Sequence, residues 1–181
     1  MIKNRTIVKN NNATTSHFNH YIAGFVDKEG CFSVSFRKLE RLKVKVEVRP
    51  SFSIGQRATP ANFELLEKIK TVFKGGSTRV DRASNLYKYE TRSSSHILNN
   101  VVPFFEQYPL HGEKRHDLLN FCKVCRLIAK KRHLTVAGLS KIIDIAEGMN
   151  TSGKRRVLLS GLRDHLSREA VFENSKDGDR G

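Results

Sequence analysis

Apolar and polar residues change their spacing several times along the chain, and each change predicts an element. From Ser16, which can cap a helix, Phe18, Tyr21, Ile22, Phe25 and Val26 recur with the period of an α-helix, and Gly30 is placed to stop it. The period then falls to two. Phe32, Val34 and Phe36 alternate with Ser33, Ser35 and Arg37, as in a strand with one apolar and one wet face. After a polar turn at residues 38–41, alternation resumes with Leu42, Val44, Val46, Val48, Phe52 and Ile54 set against Lys43, Lys45, Glu47, Arg49, Ser51 and Ser53. These segments predict a hairpin with a cationic surface. Pro50 cannot donate to a ladder, so an edge position or a bend is expected there.

Thr59-Pro60 is a helix start signal; Phe63, Leu66, Ile69, Val72 and Phe73 carry the apolar stripe, and Gly75-Gly76 breaks it. Residues 78–82 and 86–92 flank a turn at Ala83-Ser84-Asn85, a second hairpin whose weaker alternation leaves its faces unassigned. Residues 94–102, 103–107, 113–131 and 135–147 read as helices, and residues 157–166 as an amphipathic segment. The order helix, two strands, helix, two strands, helices predicts an α+β domain over residues 16–156. A flexible basic arm over 1–15 is expected before it, and a C-terminal helix and polar tail over 157–181 after it.

Charge narrows the partner. The 181 residues carry 33 Lys and Arg against 18 Asp and Glu, a formal net charge of +15, which points to a polyanion and first of all to nucleic acid. No 18-residue apolar run exists, and the polar, Asn-rich start has no signal-peptide core, so neither membrane spanning nor secretion is expected. Cys31, Cys122 and Cys125 are an odd number, which argues against a disulfide framework and for a reducing compartment such as a bacterial cytoplasm or an organelle matrix. Cys122-Lys-Val-Cys125 lacks a second half at zinc-site spacing and lies among helical apolar positions, so both thiols are expected in the core.

The chemistry concentrates at the end of the first helix. Ala23 and Gly24 leave room for another backbone to approach. Asp27 and Glu29 follow where a helix leaves carbonyls unpaired and carries partial negative charge. A carboxylate beside such a carbonyl suits magnesium, which takes its remaining ligands from water and phosphate. Two residues apart on a helix means about 200°, so only one acid can lead, and Glu29 lies nearer the cationic hairpin. Two solvated acids ending a helix would give the same spacing.

Ile22-Ala-Gly-Phe-Val-Asp-Lys-Glu-Gly30 resembles the LAGLIDADG motif, and the aromatic strand behind it resembles that of LAGLIDADG homing endonucleases. The element order, Phe104-Phe-Glu-Gln-Tyr-Pro-Leu110 with Lys114 behind it, and the stretch from Leu139 to Arg156 extend the resemblance over most of residues 16–156. It implies the homing-endonuclease fold, α-β-β-α-β-β-α with an antiparallel DNA-binding sheet and packed helices. It also implies that Glu29 is the metal-binding catalytic acid, that the Lys28 carbonyl joins the coordination, and that Gln56 and Lys114 position or polarise solvent at the scissile phosphate. Magnesium is the implied cofactor, with manganese able to substitute. Ile22 stands for the usual Leu, and Lys28 for a small residue.

Cutting both strands of a duplex takes two acids related by approximate two-fold symmetry. Val136-Ala-Gly-Leu-Ser-Lys-Ile-Ile-Asp144 repeats part of the motif, but Lys141 stands where the first acid would be and no strand follows, so it reads as a core helix. The expectation is a homodimer whose first helices cross at Ala23 and Gly24, acting on a long pseudo-palindromic double-stranded site. Ser33, Ser35, Arg37, Lys43, Lys45, Glu47, Arg49 and Ser53 would face the major groove, where Arg suits guanine and Glu suits cytosine, with Arg79 and Lys88 added from the second hairpin. Residues 10–15 and 154–156 would touch phosphates. An intron RNA maturase on the same scaffold and a non-cleaving DNA-binding regulator are the alternatives; the joint presence of Glu29, Gln56 and Lys114 favours the nuclease. If about eight phosphates are neutralised, a log–log plot of DNA affinity against salt should have a slope of about −7, and a slope near zero would remove the electrostatic argument.

Overall fold

The computed structural model describes residues 10–149 and 161–163, with side chains from residue 15 onward. Two hairpins, β1 (Gly30–Lys38) with β2 (Val46–Arg57) and β3 (Ser77–Asp81) with β4 (Leu86–Thr91), join through β2 and β4 into one antiparallel sheet in the order β1-β2-β4-β3. Alternation decides its two faces. Phe32, Val34, Val48, Phe52, Ile54 and Tyr89 are buried on the side covered by helices. Ser33, Ser35, Arg37, Glu47, Arg49, Arg79 and Lys88 stand on the other.

Phe52 centres the core. It stacks on Phe32 at 4.8 Å and meets Phe73 and Phe105 edge-on at 5.4 and 6.1 Å. Such pairs add about 0.5–1.5 kcal/mol each beyond the area they bury, so one ring ties the first hairpin to the end of α2 (Pro60–Val72) and to α4 (Val102–Gln107). Thr59 caps α2 as expected, its hydroxyl accepting from the Asn62 N–H at 3.3 Å. The following turn needs glycine: Gly75 and Gly76 have φ of 152° and 92°, and a Cβ on Gly76 would lie 2.6 Å from the Tyr89 ring. The Tyr89 hydroxyl donates to the Gly75 carbonyl at 3.0 Å.

The helices on the covered face follow the sequence with small shifts. The short helix α3 (Ser94–His96) runs into α4 through an i→i+5 segment at Ile97–Val101. Pro103, just beyond that segment, has no N–H to give to the preceding turn. Helix α5 (Lys114–Ala129) buries Cys122 and Cys125 as expected, and burial pushes their thiols up to about 11 and about 12. Thr135 caps α6 (Val136–Glu147), which buries Leu139, Ile142, Ile143 and Ala146. The partial motif repeat is therefore a core helix. Its outward acids, Asp144 and Glu147, pair with Arg163 at 2.7 and 2.6 Å. No helix among the described residues is long and apolar enough to cross a membrane.

Two expectations change, the start of α1 and the start of β2, while the edge character of Pro50 and the turn of the second hairpin stand as expected. Helix α1 spans Asn10–Glu29, so it starts six residues ahead of Ser16 and takes in part of the expected arm; residues 1–9, 150–160 and 164–181 lie outside the described residues. Strand β2 begins at Val46 rather than Leu42. Residues 39–45 form a loop closed by the Leu39 N–H on the Lys45 carbonyl at 2.8 Å, with Lys45 at a φ of 52°, so Lys43 and Lys45 are loop residues and not part of the strand face. Pro50 is buried in an inner strand, yet only β1 pairs with it, through Val34; the ladder to β4 starts at Phe52. Locally it is at an edge, and its missing donor costs no ladder bond. The second hairpin closes with Asn85 at a φ of 52° and with Asp81 accepting from the Ala83 and Ser84 N–H groups at 3.2 and 3.4 Å.

Helix α1 passes into β1 with no residue between them. A Cβ on Gly30 would lie 2.6 Å from both the Val26 carbonyl oxygen and a Val26 methyl. Gly30→Ala is therefore expected to cost about 1–3 kcal/mol of stability by overpacking, read as a lowered thermal or urea midpoint; an unchanged midpoint would show that the junction relaxes freely.

Candidate functional site

The junction places an acid at a fixed edge. Glu29 is the last residue of α1 and is exposed, and no described side chain pairs with it. Because Gly30 pairs with Ile54, Glu29 stands level with Gly55, and Gln56 lies one residue further along the same end of the sheet. Gln56 is half-buried, and its amide donates to the Gly55 carbonyl at 2.8 Å. Lys114 opens α5 and lines a cleft of about 710 Å³ with Asp27, Lys28, Glu113, His116 and Asp117. The segments that carry Glu29 and Gln56 thus lie at one end of the sheet, and the start of α5, with Lys114, shares a cleft with Asp27 and Lys28 of the first of them.

Asp27 explains how the third segment is held. Its carboxylate accepts the His111 N–H at 2.9 Å and the Gly112 N–H at 3.1 Å. A Cβ on Gly112 would sit 3.2 Å from an Asp27 oxygen, so glycine lets the loop close on the acid. The two motif acids have separate tasks: Asp27 is spent on the loop that leads into Lys114, and Glu29 is left open. The angular offset between them was the only sign of this in the sequence.

Donor chemistry at Glu29 suits a hard divalent cation. The carboxylate is exposed beside the Lys28 carbonyl, at a helix end where the last carbonyls lack a following turn. Among the described residues no three His, Cys, Asp or Glu side chains converge on one point, so an ion at Glu29 would fill its shell with carbonyl, water and phosphate oxygens.

The two small residues of the expected helix crossing lie in different surroundings within the chain. Ala23 is 7% exposed and packs into the core of its own chain with Ile22 and Val26, because it lies on their stripe. Gly24 is open, with nothing within 4 Å of a Cβ built on it. The outward stripe is Tyr21, Gly24 and Lys28, all exposed.

On the open face of the sheet, Arg37 is exposed, Arg49 pairs with Glu47 at 3.2 Å, and the Ser35 hydroxyl donates to the Arg49 carbonyl at 3.4 Å. Ser33 likewise bonds to the Ser51 carbonyl at 3.4 Å. Ser53 is 4% exposed, enclosed between the strands on either side; it is not available as a groove contact, contrary to expectation. Arg79 and Lys88 do lie on this face, and both pair with Glu90 at 3.5 Å. Glu90 and Arg92 were given no role by the pattern read from the sequence, since the second hairpin shows little alternation, and Ser51, placed on the polar face of its strand, was given no partner.

The family model for LAGLIDADG endonuclease matches residues 22–125. A relative in Neurospora crassa, "Probable intron-encoded endonuclease 3", is 33% identical over 132 residues, covering 68% of this chain and 22% of the relative; the chain spans about a fifth of that protein's length. The crystal structure of the homing endonuclease I-TnaI superposes with a TM-score of 0.73 at 32% identity, over 82% of this chain and 97% of that one. The LAGLIDADG homing endonuclease I-LtrWI, solved bound to target DNA, gives 0.72 at 36% identity, over 76% of this chain and 46% of that one.

Asp27→Ala would leave two loop N–H groups to water. The expected cost is about 1 kcal/mol, or about 2–4 °C in a thermal midpoint for a domain of this size, with Asp27→Asn recovering part of it through its remaining acceptor. An unshifted midpoint in both variants would show that the clamp contributes nothing.

Proposed function

Because this chain belongs to the LAGLIDADG endonuclease family, we propose that it is a site-specific double-strand DNA endonuclease of the homing type. It hydrolyses phosphodiester bonds with a divalent metal, magnesium or in its place manganese. The observation that carries this reading is an exposed acid, Glu29, at the junction of the motif helix with a sheet whose open face holds Arg37, Arg49, Arg79 and Lys88, with Lys114 in the cleft beside Asp27 and Lys28. I-LtrWI, whose structure is similar, was solved bound to target DNA, which supports DNA as the partner of this chain.

Each residue has a distinct task. Glu29, with the Lys28 carbonyl, holds the ion, which when bound supplies Lewis acidity toward a phosphate oxygen. Gln56 offers an amide to orient solvent, and Lys114 brings positive charge toward the phosphate. Asp27 keeps the Lys114 loop against the motif helix. One chain presents one such acid at its described surface, so a second copy, packed along the Tyr21, Gly24 and Lys28 stripe, completes a two-strand cut on a pseudo-palindromic site.

Glu29→Gln is the test. With a duplex recovered by selection from a randomised pool, the variant is expected to cut at less than about a hundredth of the wild-type rate in magnesium. Its binding to the same duplex in calcium should be little changed. Wild-type cleavage by the variant would refute the assignment of Glu29.

A further inference from the structure

The open face of the sheet hides a carboxylate. Glu90 lies on β4 in alternation with Tyr89 and Thr91, on the side away from the core, directly between Ser53 of β2 and Ser77 of β3. A side chain there would ordinarily be wet, yet that of Glu90 is only 9% exposed. The groups that cover it are mostly cations. Lys88 Nζ lies 3.5 Å from Oε1, while Arg92 and Arg79 lie 3.0 and 3.5 Å from Oε2. The Ser51 hydroxyl donates to Oε1 at 2.8 Å. Burial alone would raise the carboxyl, but the Ser51 bond and the Lys88 and Arg92 charges outweigh it and hold Glu90 below the ordinary carboxylate range. One anion thus gathers three cations from two strands and the segment after them. Arg79 and Arg92 remain about half exposed, so most of their donors stay free for a ligand. Arg79, Glu90 and Arg92 line an open depression of about 680 Å³.

We infer that Glu90 is a positioning residue for base recognition: by fixing Arg79, Lys88 and Arg92 around a single buried carboxylate, it sets the sequence preference of one block of the DNA site without touching the DNA. This rests on the reading of the chain as a DNA endonuclease. The physics is a contest between two uses of a cation. An unrestrained Lys or Arg settles on the nearest phosphate, which adds affinity but no sequence information. A guanidinium held in place can present its fork to a base edge, where alignment carries discrimination. Neutralising Glu90 should therefore move two readouts in opposite directions: non-specific affinity holds or rises as three cations are released, while preference at the block falls. A residue that merely supported the fold would lower both.

The experiment uses the full chain as wild type, Glu90→Gln and Ser51→Ala. Each is put through selection on a pool of randomised duplexes in calcium and through binding to one fixed unselected duplex, with a thermal midpoint as the check on folding. Wild type is expected to enrich a motif. Glu90→Gln should bind the fixed duplex at least as tightly as wild type and lose about tenfold or more of its preference within one contiguous block, the rest of the motif being kept. Ser51→Ala, which keeps the charge and removes the hydroxyl, should show a smaller loss in the same block. An undiminished motif for Glu90→Gln overturns the inference, as does a uniform loss with weaker binding to both DNAs. If Glu90→Gln does not fold, Ser51→Ala decides, and an unchanged motif overturns it. A wild type that enriches no motif instead brings down the reading as a site-specific DNA enzyme, and the role of Glu90 with it.

Discussion

The passage from α1 into β1 without a loop is the constraint on which the rest depends. A helix end is normally free to wander by the length of its connection. Here Gly30 is buried against the Val26 carbonyl and is already the first rung of the β1–β2 ladder, opposite Ile54. Two residues later Phe32 enters the core and stacks on Phe52. The backbone of Glu29 is therefore set by core packing on one side and by strand register on the other, with no soft joint between. Register has only discrete values, so the Cα from which the acid projects is held relative to that of Gln56 by the sheet itself.

Periodicity revealed most of the architecture and misled where short-range pattern and long-range pairing diverge. Leu42 and Val44 continue the alternation of β2, yet they belong to a closed loop; Val44 is buried there all the same, so the spacing that predicts a strand was preserved for packing. In the second hairpin the fault is the reverse. Thr91 is polar but faces the core, where its hydroxyl bonds to His96 Nδ1 at 3.0 Å while His96 Nε2 reaches the Phe73 carbonyl at 2.9 Å. Glu90 is charged and also buried, on the opposite face. With polar residues enclosed on both sides, alternation carries no signal, because the partners that make burial tolerable come from other strands.

The candidate site shows the same division. That the two motif acids would meet different surroundings was legible from the helical angle between them. What Asp27 does instead depended on His111 and Gly112, 84 and 85 residues away, and no local pattern announces such a contact. Ala23 and Gly24 look alike as small residues, but one lies on the stripe of Ile22 and Val26 and the other faces away from it. Ser53 was placed on the correct face of its strand; only the width of the sheet, with neighbours on both sides, explains why it is covered.

Lys28 stands one turn beyond Gly24 on the outward stripe of α1, where close helix contact would otherwise favour a small side chain. In an assembly whose two-fold axis runs through that stripe, each ammonium meets its own image, and like charges in a seam that excludes water repel strongly. In the proposed dimer, the phosphates of a bound duplex would add to the counter-charge of Asp27, Glu113 and Asp117, which line the same cleft as Lys28. Association of two copies and binding of nucleic acid would then be thermodynamically linked, each strengthening the other by the same factor.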